Sequence, residues 1–154
     1  EMADSDPRHD QLFSLTWTLA MFIQSINQES KYFTLNSIYG HHGILNKDNT
    51  KRPLYHLNNF LISLSNSEIF KFNPINEVYG LKIVLNDKKY YLFVNSSKQK
   101  KEINIPELNF SHQYKLNLKN YTDIFNNDFS FFNFKKDKNP YAFEPLEIKF
   151  IEYK

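Results

Sequence analysis

The sequence predicts a mixed fold, a helix-strand-helix segment over residues 1–66 followed by an antiparallel β-sandwich over residues 67–154. Three observations carry this. Apolar residues recur at steps of three and four near both ends of the first segment, the apolar period changes to two from about Glu68, and polar clusters punctuate everything that follows. A chain of 154 residues can bury about two thirds of the surface its unfolded form exposes, enough for one sizeable core or two small ones.

Leu12, Leu15, Leu19, Ile23 and Ile26 lie on one helical face, Asp6 can cap the start and Pro7 suits the first helical position, so a helix is expected over 7–27. Phe13, Trp17 and Ala20 add a second apolar stripe, which predicts cover on more than one side. Tyr32 to Ile38 is short, aromatic and rich in strand formers, and reads as a strand buried on both faces. After a loop from Tyr39 to Arg52, Pro53 opens a second helix with Leu54, Leu57, Leu61 and Leu64 at helical spacing. A lone two-sided strand between helices implies parallel neighbours, hence a piece of a repeating β/α architecture.

Beyond a boundary near Asn66, Tyr79 to Leu85 and Tyr90 to Val94 flank Asn86-Asp87-Lys88 and read as a hairpin. Ile103 with Ile105, Tyr114 with Leu116 and Leu118, Phe129 with Phe131, and Leu146 with Ile148 and Phe150 supply further strands. Gln113, Lys115, Asn117 and Lys119 point away from Tyr114 and Leu116, the pattern of a sheet with one wet face.

The composition excludes more chemistry than it suggests. With 19 Lys plus Arg against 17 Asp plus Glu, the charge is too balanced for an electrostatic nucleic-acid binder, and only Arg8 and Arg52 carry the bidentate fork. No apolar run is long enough to span a membrane, and without cysteine there is no disulfide, thiolate metal site or cysteine nucleophile. No glycine-rich phosphate loop or serine-nucleophile motif is present, and no cofactor is expected. Glu102, Asp123 and Glu147 fall at alternating or turn positions and read as solvated, while Tyr79, Tyr90, Tyr91 and Tyr121 could stack on sugars.

The segment that stands out is Tyr39-Gly40-His41-His42-Gly43. It holds two of the three glycines, which points to a backbone needing positive φ or close approach. Three readings are open: a tight turn with both imidazoles in solvent, a substrate-contacting loop at the carboxyl end of a strand, or a metal site. The last is disfavoured because adjacent histidines diverge and no His-x-x-x-His spacing supplies a chelating pair.

Asp6-Pro7-Arg8 with Leu12-Phe13 and Thr16-Trp17-Thr18-Leu19, then Gly40-His41-His42-Gly43-Ile44 and Pro53-Leu54-Tyr55-His56, resemble the D-apionate lactonase family. The order of parts also resembles the C-terminal end of a clan-A type glycoside hydrolase, where the last helix, strand and helix of a TIM barrel run into a β-sandwich. The resemblance covers about the first 65 residues in motif and the remainder in architecture. It implies that residues 1–66 are the terminal piece of a (β/α)8 barrel and residues 67–154 an accessory domain. The chain would then be the C-terminal part of a carbohydrate-active hydrolase, glycoside hydrolase-like or lactonase-like, acting on a carbohydrate or sugar lactone. The main acid and base would lie in an N-terminal barrel portion outside this chain, which alone is expected to be inactive. Thr34, Asn36 and Ile38 would face the barrel interior by alternation. Asn36, Tyr39, His41 and His42 would be the substrate-binding residues, Asn36 as a hydrogen-bond donor and the histidines as hydroxyl or carboxylate binders. The alternatives are a stand-alone carbohydrate- or protein-binding β-sandwich module and a purely structural domain.

Overall fold

The computed structural model describes residues 7–26, 34, 36–40, 43–105, 110–126, 129–133, 139 and 141–153. Pro7–Asp10 form a 3-10 turn, and helix α1 runs from Leu12–Ser25 with the extended Gln11 ahead of it. The helix therefore starts later than the proline signal suggests, and Asp6 lies outside the described residues. Leu12, Leu15, Leu19 and Ile23 are all at most 1% exposed, so the predicted face is the buried one. Ala20 is buried too, but Trp17 is 53% and Met21 42% exposed, so the outer stripe has no cover within the described residues. Helix α2 spans Pro53–Ser63 and opens on its proline as expected. Of the strand expected over 32–38, Thr34, Asn36, Ser37 and Ile38 are described and none lies in a strand: Ser37 forms only a single parallel bridge to Gly43, and Thr34, Ser37 and Ile38 are exposed rather than buried on both faces.

Among the described residues seven strands follow: β1 Glu68–Lys71, β2 Val78–Leu85, β3 Lys88–Asn95, β4 Lys101–Glu102, β5 Phe110–Leu116, β6 Ala142–Phe143 and β7 Ile148–Tyr153. They divide into an antiparallel five-stranded sheet in the order β1-β2-β3-β7-β5 and a two-stranded ribbon, β4-β6. The β2–β3 hairpin turns on Asn86 and Asp87, at φ of 50° and 62°, the left-handed pair that matches strand twist. Alternation sorts the sheet's side chains cleanly. Leu81, Ile83, Leu92, Val94, Leu116, Ile148 and Phe150 share one core with the inner faces of α1 and α2. Val78, Tyr91, Phe93 and Ile151 form a second core with Ile103 and Phe143 next to the ribbon.

Helices thus cover one face of the large sheet and the ribbon the other, in place of two comparable sheets. The boundary near residue 66 is a turn between α2 and β1, closed by the Ser67 N–H on the Leu64 carbonyl at 2.9 Å, and the helix-side core is continuous across it. Further expectations differ from the structure: Ile103 and Ile105 follow the two-residue strand β4 instead of lying in it. Phe129 and Phe131 are not in a strand; their rings sit 5.1 Å apart in an aromatic cluster with Phe60 and Tyr114. Gln113 and Lys149, on the face expected to be wet, are 3% and 0% exposed, because the ribbon side of the sheet is itself a core. Tyr90 and Tyr91 are core residues rather than a sugar platform, Tyr90 stacking on Phe150 at 5.0 Å and Tyr91 on Phe93 at 5.9 Å.

Candidate functional site

The glycine-flanked loop is built by the backbone at its base. Ser37 O accepts from Ile44 N–H and Ile38 O from Leu45 N–H, both at 3.0 Å, while Gly43 N–H donates to Gly40 O at 3.0 Å. Each glycine has its own reason. Gly40 sits at φ 99°, and a Cβ on Gly43 would lie 2.6 Å from the Tyr39 carbonyl carbon, closer than any real contact. The second half, Leu45 to Lys51, folds back on itself, with Asn46 N–H on Thr50 O at 3.0 Å and the Asp48 carboxylate accepting from Thr50 Oγ1 at 2.7 Å and Thr50 N–H at 3.1 Å. Those bonds hold the Asp48 carboxyl below its ordinary pKa, the Thr50 hydroxyl contributing most. Arg52 ties the loop to the body: its Nε donates to Asn46 Oδ1 at 2.7 Å, its guanidinium reaches Gly43 O at 3.4 Å, and Asp10 lies 3.7 Å away.

Of the residues singled out from sequence, Tyr39 is 58% exposed, and its hydroxyl donates to Asn49 Oδ1 at 3.2 Å. Asn36 is half-buried at the foot of the loop, just before the Ser37–Gly43 bridge, and its Oδ1 is shielded from solvent with no hydrogen-bond partner among the described residues. His41 and His42 lie outside the described residues. Tyr39 and Asn36 therefore belong to one closed loop, with Tyr39 braced by Asn49 rather than by Asn36. Among the described residues, no group of three or more His, Asp or Glu is placed to hold a metal ion, and no helix is long and apolar enough to cross a membrane.

Two polar features were not legible as such in the sequence. His56, on α2, is only 9% exposed, edge-on to Phe129 at 5.7 Å. Burial, seconded by the Lys51 charge, lowers its pKa, so the imidazole is neutral at neutral pH. Glu147, expected to be solvated, is 1% exposed: it accepts from Asn117 Nδ2 at 3.0 Å and from Glu144 N–H at 2.9 Å, and stands 3.9 Å from the fully buried Lys149 ammonium. Lys149 also donates to the Asn139 and Ala142 carbonyls and sits 4.3 Å from the centre of the Phe143 ring. With every polar atom of the carboxylate engaged by the fold, this pair is a structural clamp.

No curated protein and no solved structure matches the chain. A family model does: residues 1–66 match that of the D-apionate lactonase TIM barrel domain. The matched stretch contains α1, the glycine-flanked loop and α2, and ends where the antiparallel sheet begins. The helical part of this chain is thus similar to a TIM-barrel, lactonase-like domain.

Proposed function

We propose that this chain is the C-terminal part of a lactonase-like hydrolase. Residues 1–66 would contribute the last helix, strand and helix of its barrel, and residues 67–154 an accessory β domain. The observation that carries this reading is the extent of the family match. A TIM barrel is eight strand-helix units, about 250 residues, whereas the matched stretch is 66 residues long with two α-helices among its described residues. The exposed outer stripe of α1, Trp17 and Met21, supports it, since a barrel helix packs both on its own strands and on neighbouring helices.

In this reading the loop from Ser37 to Gly43 lies at the carboxyl end of the eighth strand, where barrel enzymes gather their functional groups. Asn36 would donate its side-chain N–H to the substrate, and Tyr39, His41 and His42 would bind the hydroxyls or carboxylate of a sugar lactone. Lactone hydrolysis needs a positioned nucleophile or base and stabilisation of the developing oxyanion, and those groups would come from earlier strands. The coding sequence upstream of Glu1 tests the reading. In-frame codons for further β/α units are expected, and an in-frame stop immediately upstream would overturn it.

One observation favours the second reading, a self-contained binding module. Leu12, Leu15, Leu19 and Ile23 are buried against the chain's own sheet with no further strand required.

A further inference from the structure

Between α2 and the segment 129–132 lies a cleft of about 200 Å3 that the glycine loop does not enter. His56, Asn59, Phe60 and Ser63 line it from one face of α2, at steps of three and four; Phe129, Ser130, Phe131 and Phe132 line the opposite side. The aromatic walls are preorganised by the core. Phe60 lies 4.7 Å from Phe131 and 5.6 Å from Phe132, and Phe131 is 2% exposed. Among the described residues no charged side chain lines the cleft, so none of them would offer an ion a counter-charge there.

Its polar groups nevertheless converge with capacity to spare. The Ser63 hydroxyl donates to Phe60 O at 2.6 Å and keeps its lone pairs; the Ser130 Oγ accepts from Phe132 N–H at 3.1 Å and keeps its proton. The uncharged His56 ring offers one donor and one acceptor nitrogen and has only edge contacts, to Tyr55 and Phe129, among the described residues. A bare hydrocarbon would desolvate these groups without replacing their hydrogen bonds, which is costly. The volume corresponds to roughly six or seven waters, room for one small ring.

We infer that this cleft is a binding site for an uncharged, monosaccharide-sized ring, its C–H face on Phe129 and Phe132 and its hydroxyls on His56, Asn59, Ser63 and Ser130. The site is independent of the barrel reading, since it uses α2 and the β domain and needs no other chain.

The test is an NMR titration of the 15N-labelled full chain with D-xylose, D-glucose, D-gluconate and phenol, one at a time. One of the two neutral sugars should shift the amides of His56, Asn59, Ser130 and Phe131 with a Kd of about 1 mM, an affinity ordinary for a single-ring ligand. Gluconate should bind at least about tenfold more weakly. Asn59→Ala, at an exposed position, and Phe132→Ala, whose ring also packs on Phe60 and Phe150 so that its native fold is checked by circular dichroism, should each weaken sugar binding by about threefold to tenfold, while His56→Gln should do the same with a shape close to the original. Absence of shifts with both neutral sugars, binding of phenol alone, or unchanged affinity in all three variants would each overturn the assignment.

Discussion

Replacing Glu147 by glutamine preserves shape and removes one charge from the sheet's second core. The carboxylate accepts from Asn117 Nδ2 on one oxygen and from Glu144 N–H on the other, at 3.0 and 2.9 Å. Glutamine has one carbonyl oxygen, so one of these donors must face an NH2 group, and an unpaired buried donor costs about 1–3 kcal/mol. Lys149, 0% exposed and 3.9 Å away, meanwhile loses its opposite charge, and breaking a buried pair costs about 3–5 kcal/mol. The two terms overlap, and Lys149 keeps its two carbonyl partners and the Phe143 ring, so the lower end applies, about 3 kcal/mol. For a chain of this size that lowers Tm by about 6–12 °C. Thermal and urea unfolding of Glu147→Gln, with far-UV circular dichroism to check the native fold, measures it. Combined with Lys149→Met, the cycle should give a coupling energy of at least about 1 kcal/mol. A loss below about 0.5 kcal/mol, or strict additivity, would refute the clamp.

Gly43→Ala drives a methyl group to 2.6 Å from the Tyr39 carbonyl carbon, a backbone atom that cannot swing aside; a loss of about 1–3 kcal/mol is expected in chemical denaturation. His56 gives a pH signature. Its folded pKa is lowered by burial, so the unfolded chain takes up the proton first as pH falls. This contribution to stability is full above about pH 6.5 and is lost as pH falls through the folded value. Tm recorded from about pH 7.5 down to about pH 5 should fall more steeply for the native chain than for His56→Gln. If the loop lines a substrate cleft, His41→Ala or His42→Ala in the N-terminally extended protein should cut turnover by at least about tenfold, about 1.4 kcal/mol, with Tm nearly unchanged. Normal kinetics in both would leave the loop as a solvated turn.

The inner face of α1, the proline start of α2 and the β2–β3 hairpin were legible because each depends on local periodicity or turn chemistry, which a sequence displays directly. The two glycines of the loop were legible for the same reason: one takes a positive φ and the other a backbone contact no side chain permits. What failed depends on cover. Alternation assigns Gln113, Glu147 and Lys149 to the far side of Leu116, Ile148 and Phe150, but it cannot say that a ribbon carrying Phe143 will close over that side. Phe129 and Phe131 mimic a strand because their spacing of two serves ring packing on Phe60 and Tyr114 instead. His56 occupies α2 at a position whose exposure is decided by that same aromatic segment, far along the chain.

In the proposed function these residues complete a hydrolase whose reacting groups lie outside this chain. Hydrolysis of a sugar lactone, followed by proton release, tests this most directly when the purified chain is compared with the protein extended through its upstream coding sequence. The prediction is turnover by the extended protein and none above buffer by the chain alone. Turnover by the chain alone that is abolished by substituting its own residues, or no turnover by the extended protein, would contradict it.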